Sequence, residues 1–293
     1  MAHSDLIVEV FKVLRKKFFT PDFTPNPYNL RDKRNTQDDP LDEHICNIIM
    51  SELKGADCVK ASGPLITPDL VLFRPKLCIG VPNTKLRNDL TRIVGIEVKK
   101  LQRTGTSIVA RASGLDYNTT PPCGTIRVFD IENNPVNIRG FYLFVCQEPI
   151  DPTKNIYQLT AMVLCDGDVL NQDFDLYLSA VGQRKKKIQL GSYENGADRT
   201  RPMFIFANPL GVTELAHSVT LVHPSPDLDK GLGLVYRLTR SSKKIKRLFY
   251  CYRIQTDIPK HHLITDLKNP FPTPSRVTET QSRGKFRLPI KLS

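Results

Sequence analysis

The chain has 293 residues, 40% of them hydrophobic and 25% charged, with a formal net charge of +12 at pH 7. Length and composition are those of a soluble globular protein able to bury a sizeable core. The excess of positive charge favours a polyanionic partner, most commonly nucleic acid. No apolar run approaches the ~18 residues of a membrane-spanning helix, so no membrane partner is expected. The start, MAHSDLIVEVF, carries an early acid and lacks the basic region and cleavage pattern of a signal peptide. Seven scattered cysteines without a C-x-x-C argue against a zinc site or a disulfide framework and for reduced thiols in a cytoplasm.

Leu6, Val10, Val13, Leu14 and Phe18 fall on one helical stripe. Asp22 to Asp39 is polar and rich in Pro and Asn and is expected to form a loop. A second helix follows, with Asp39 as N-cap, Pro40 in the first position, and Asp42 and Glu43 in the first turn. Its apolar stripe is Leu41, Ile45, Ile48, Ile49 and Leu53.

TPDLVLF enters a short strand through Pro68, with Asp69 on the face opposite Leu70 and Leu72. In RIVGIEVKKLQ, Val94, Ile96 and Val98 alternate with Gly95, Glu97 and Lys99, so the first set faces a core. Gly95 is expected to leave open space beside Glu97 and Lys99. Pairing the two strands would gather Asp69, Glu97 and Lys99 at a sheet edge. The acidic-X-Lys triplet alone carries little, since Glu52-Leu53-Lys54 and Asp266-Leu267-Lys268 repeat it. Only the middle triplet shares a small apolar unit with a Pro-Asp pair; the last lies in a Pro- and Asn-rich tail.

Two carboxylates and a lysine suit metal-assisted phosphodiester hydrolysis. Mg²⁺ takes one or two carboxylates and leaves its other positions to water and phosphate oxygens. A nearby lysine can orient or deprotonate water. Pro68-Asp69 followed by Glu97-Val98-Lys99 resembles the PD-(D/E)XK nuclease superfamily. The resemblance covers roughly thirty-five residues. It implies that Asp69, Glu97 and the backbone carbonyl of Val98 ligate Mg²⁺ and that Lys99 positions the attacking water. It also implies that an acid of the preceding helix, Glu43 or Glu52, and Gln102 after the motif are candidates to join the metal site. An acid in a first turn otherwise serves the helix dipole.

Arg74 to Arg92 is a long connection holding Lys76, Lys85 and Arg87, expected as a phosphate-contacting arm. Arg111 to Gly124 is turn-rich; with Arg111, its Asp116 and Asn118 are types that grip phosphates or read base edges. Strands are expected at Thr125 to Ile131, Phe141 to Gln147, Tyr157 to Cys165, Met203 to Ala207 and Val219 to His223. A helix is expected between Val169 and Val181. Leu232 to Thr239 and Leu248 to Gln255 should form a hairpin around RSSKKIKR, where Lys243, Lys244 and Lys246 join the block of Lys185 and Lys186 as DNA-contacting cations.

The expected fold is α/β: a mixed central sheet flanked by helices, a restriction-endonuclease-like core, with a β-rich C-terminal portion. One nuclease domain would span 1–293, its catalytic core at about 40–180, a DNA-contacting portion at about 181–269 and a tail at 270–293. The resemblance, with size and layout, implies a type II restriction endonuclease: a cytoplasmic homodimer cutting double-stranded DNA at a short sequence. The alternatives are a basic nucleic-acid-binding module without catalysis and a structure-specific nuclease of the same superfamily.

Overall fold

The computed structural model describes residues 4–35, 38–62, 66–104, 107–108, 115–119, 123–181, 204–207, 219–228, 231–242 and 245–270. Arg111, Lys185, Lys186, Lys243, Lys244 and the expected tail beyond residue 270 lie outside these residues. The helices are α1 (Leu6–Phe18), α2 (Pro40–Glu52), α3 (Pro75–Cys78), α4 (Asn83–Leu86) and α5 (Gly167–Val181). The N-terminal strands are β1 (Tyr28–Asn29), β2 (Asp57–Lys60), β3 (Leu70–Phe73), β4 (Ile93–Thr104), β5 (Ser107–Ile108) and β6 (Leu115–Thr119). They are followed by β7 (Thr125–Phe129), β8 (Pro135–Asp151), β9 (Ile156–Asp166) and β10 (Phe204–Ala207). The last four are β11 (Val219–His223), β12 (Leu232–Ser242), β13 (Ile245–Ile254) and β14 (Thr265–Pro270).

A twelve-stranded mixed sheet runs in the order β14-β12-β13-β11-β9-β8-β4-β3-β2, with β1, β5 and β7 attached to β9, β4 and β8. The β4/β8, β9/β11 and β12/β14 pairs are parallel. The other pairs along this path are antiparallel. The architecture is therefore mixed α/β. β8 explains the centre of the sheet: FYLFVC is apolar at every position, as a strand buried on both faces requires. Leu143 and Val145 face one core and Tyr142, Phe144 and Cys146 the other.

Helices α1 and α2 cover the first face. Leu6, Val10, Phe11, Leu14 and Phe18 of α1 and Leu41, Ile45, Ile48 and Ile49 of α2 are buried against Leu70, Leu72, Val94 and Ile96. Each such side chain contributes about 1.5–3 kcal/mol relative to exposure, and the 3.6-residue period is what places them on one side. Helix α5 covers the second face and is fastened there by Asp173. That carboxylate takes two hydrogen bonds from Arg240 of β12, at 2.7 and 2.5 Å, with both residues almost fully buried.

Four features differ from expectation. β4 is not an edge strand, because β3 and β2 flank it on one side and β8 on the other. The Asp266 segment is not tail but strand β14, held by its ladder to β12. Gly95 opens no space: a Cβ there would lie 3.0 Å from Pro68 Cγ and 3.2 Å from both Ile126 and Ile138, so glycine permits close packing. The Arg74–Arg92 connection contains two short helices and spends most of its cations internally. Arg74 is buried, donating to carbonyls of Ser4 and Thr91 and pairing with Glu9.

Candidate active site

Strands β3 and β4 pair from Phe73↔Ile93 to Leu70↔Ile96. There β3 begins, while β4 continues beside β8 from Glu97↔Tyr142 to Gln102↔Gln147. Asp69 immediately precedes β3, and Glu97 follows the last β3-paired residue of β4. The two acids therefore meet where β4 loses one neighbour. Val98 has its amide on that vacated side, and it donates to Asp69 Oδ2 at 2.7 Å. The N–H and C=O of one strand residue point to the same side, so the Val98 carbonyl opens on the same gap. On the other face of β4 from the core, Lys99 Nζ donates to Glu97 Oε1 at 2.7 Å. The second oxygen, Glu97 Oε2, is buried and has no hydrogen-bond partner among the described residues.

The preceding helix adds an acid, and it is Asp42 rather than Glu43. Glu43 is turned outward into a clasp with Arg31, which donates to it at 2.9 and 2.6 Å and also binds Asp38. Glu52 is half exposed near Lys17, at 3.7 Å. Asp42 is half-buried beside Asp69 and Asp39, and its carboxyl is pushed up to about 8, by burial first and then by those two negative charges. Asp69 is raised to about 7, again by burial first and then by Glu97, against the Val98 hydrogen bond and Lys99.

The helical phase held the signal that separates the two acids. Asp42 precedes Ile45 and Ile49 by three and seven residues and so stands on the buried side. Glu43 shares its face with exposed Asn47 and Met50. Helix α2 is in turn located by Asp39, whose side chain accepts from the Leu41 amide as the N-cap and pairs with Lys100 Nζ at 2.7 Å. Consecutive lysines of β4 thus serve opposite faces: Lys99 holds Glu97 and Lys100 holds the helix start.

Among the described residues, no three or more His, Cys, Asp and Glu side chains form a ready-made metal cage. The donors fit Mg²⁺ in a more open way. Asp69 and Glu97 lie on neighbouring strands on either side of the Val98 amide contact, Glu97 Oε2 is buried without a partner among the described residues, and the Asp69 and Asp42 carboxyls are raised by burial and by the negative charges beside them. A hard divalent cation that keeps several water ligands suits such a set.

The expected DNA contacts divide. Lys76, Lys85 and Lys246 are exposed. Arg87 Nε donates to the Thr125 hydroxyl at 2.5 Å, which holds it against β7. Asp116 and Asn118 lie on β6, in a two-stranded sheet with β10, where Asn118 pairs with Ile205. Gln102 occupies β4 opposite Gln147. Arg240, the first residue of RSSKKIKR, is the buried partner of Asp173. No helix among the described residues is long and apolar enough to cross a membrane. Comparison of the chain with protein-family models, curated proteins and solved structures returned no match.

Proposed function

We propose that this protein is a Mg²⁺-dependent DNA endonuclease with a restriction-endonuclease-like core, cutting double-stranded DNA at a short sequence as a homodimer. The observation that carries the reading is the meeting of Asp69, Glu97 and Lys99 at the end of the β3/β4 ladder, with buried Glu97 Oε2 unpartnered among the described residues. The formal charge of +12 supports a polyanionic substrate.

In this reading Asp69, Glu97 and the Val98 carbonyl would hold the metal. Bound Mg²⁺ supplies positive charge that steadies the phosphoryl oxygens and makes water more acidic. Lys99 orients the attacking water and moves its proton, and its hydrogen bond to Glu97 fixes the ammonium in place. Asp42, raised by burial and by the charges of Asp69 and Asp39, gives up its proton more readily once a cation sits beside Asp69. Partial burial of the acids limits competing solvent, so each charge is screened less than it would be in bulk water.

The test is incubation of the protein with plasmid and phage DNA in Mg²⁺. Discrete fragments are expected; a smear indicates cleavage without sequence choice. Unchanged DNA across a range of divalent cations, with binding retained, replaces the nuclease by a nucleic-acid-binding module.

A further inference from the structure

Behind the acidic group, α2 and the edge strand β2 are joined by sulfur. β2 has β3 on one side and no strand on the other among the described residues. An exposed strand edge leaves amides and carbonyls without partners, and at Cys58 side chains of α2 supply them. The Cys58 amide donates to Met50 Sδ at 2.8 Å. Its carbonyl accepts from the Cys46 thiol at 3.4 Å. The Cys46 thiol thus sits against the Cys58 residue itself, and the two thiols shift each other's titration in opposite directions. Cys46 and Cys58 are twelve positions apart on different elements, and both are reduced in this structure.

We propose that Cys46 and Cys58 are a redox-active dithiol, converted to a disulfide by a two-electron oxidant such as an organic disulfide. With oxidised glutathione, the Cys46 thiolate attacks one sulfur, breaks the glutathione S–S bond and releases one glutathione thiolate. The Cys58 thiolate then attacks the mixed disulfide at the Cys46 sulfur and releases the second. The protein loses two thiol protons and two electrons, and the oxidant leaves as two thiols.

The order of attack follows from the surroundings. The Cys58 hydrogen bond lowers the Cys46 thiol below the ordinary value, and Lys60 adds to this against burial. The Cys58 thiol is raised by the same contact and by burial. Entry is from the strand edge, where Met50 and Val59 are 47% and 54% exposed. A four-residue strand paired on one side opens locally at less cost than the sheet interior, and that opening admits the oxidant to thiols that are 7–8% exposed.

The bond would clip together two elements that carry the acidic group. Asp42 lies one turn before Cys46 on α2. After β2, the Ala61 amide donates to the Asp69 carbonyl at 2.8 Å. Any effect on cleavage rests on the proposed nuclease function, but the disulfide itself does not.

Peptide mapping of the intact chain tests it. The reduced protein is exposed in its native state to oxidised glutathione, alkylated in denaturant and digested with trypsin. Cleavage after Arg34, Lys54 and Lys60 places Cys46 alone in Asn35–Lys54 and Cys58 alone in Gly55–Lys60. These peptides are expected as one disulfide-linked species that dithiothreitol separates. Cys46→Ser should abolish that species, and Cys58→Ser is the matching variant should the first fail to fold. Recovery of both wild-type peptides unlinked after other cysteines have reacted, or of either linked to a different cysteine, overturns the proposal. So does glutathione capping of Cys46 without progress to the internal bond.

Discussion

Asp69 and Glu97 are half-buried acids with one positively charged neighbour between them, so removing either relieves repulsion as well as removing a donor. Asp69→Ala and Glu97→Ala should each reduce cleavage on the order of 10³-fold or more, since metal charge stabilisation is worth several kcal/mol. Neither should lower the melting temperature of the metal-free protein. Cleavage by either variant at near wild-type rate in Mg²⁺ would remove it from the metal site. Lys99→Ala should lose about 10²–10⁴-fold in rate while retaining DNA binding in a gel shift. Failure to bind cognate DNA would move Lys99 from catalysis to recognition.

Asp42 gives the same site a pH signature. A carboxyl raised in the folded state keeps a proton that the unfolded chain has released. Its stabilising contribution is complete below about pH 4, and is lost as pH rises through about 7 for Asp69 and about 8 for Asp42. The metal-free protein should therefore become less stable between pH 4 and 8. Asp42→Asn should flatten that decline and raise stability at pH 8 by about 1–3 kcal/mol. Thermal melts of both proteins across this range measure it. Parallel curves would show that Asp42 does not sense the other acids. Ca²⁺, which binds the deprotonated form, should recover more wild-type stability at pH 8 than at pH 5.

At the scale of elements, α2 is held by its cap and α5 by its buried pair. Asp39→Ala removes both the cap on Leu41 and the tie to Lys100, and should cost about 1 kcal/mol. Asp39→Asn keeps a capping oxygen and should cost less, although it loses the charge that Lys100 meets. Denaturant unfolding of the two variants separates cap from ion pair; equal losses would mean that the charge dominates. Arg240→Ala is a harsher change, because it leaves Asp173 buried in an apolar face without its partner. It should cost about 3–5 kcal/mol, and Arg240→Met combined with Asp173→Leu should recover most of it. A small effect of Arg240→Ala would show that water reaches the pair.

For the whole molecule, the charge of +12 is spread unevenly between internal and free cations. Arg15, Arg74, Arg139 and Arg240 pair with acids inside the fold, so they add to formal charge without offering themselves to a phosphate. Lys76 and Lys85, on the exposed turns of α3 and α4, remain available. Each phosphate contact contributes about 0.9 to the slope of log K against log salt. The double variant Lys76→Ala with Lys85→Ala should flatten that slope and weaken specific and nonspecific DNA binding alike. Binding isotherms at several salt concentrations measure it. An unchanged slope would place the DNA on another surface.

Local features were legible in the residue pattern. Residue spacing fixed the faces of α1 and α2, Asp39 and Pro40 fixed a helix start, and alternation fixed β4 with Glu97 and Lys99 opposite its core side. These depend on neighbours within a turn or a few strand positions, and the chain's own periodicity carries them. Whatever depended on residues distant in sequence came from the packed fold. It put β4 inside the sheet, because β8 supplies the parallel partner forty-five positions later. It filled the space over Gly95 from Pro68, Ile126 and Ile138, and gave β14 a ladder that its Pro- and Asn-rich sequence did not advertise. It also turned Asp42 toward Asp69 and gave Glu43 to Arg31. Both acids satisfy the helix dipole equally well; the helical phase puts Asp42 on the side of Ile45 and Ile49, but only packing against β3 brings Asp69 to that side.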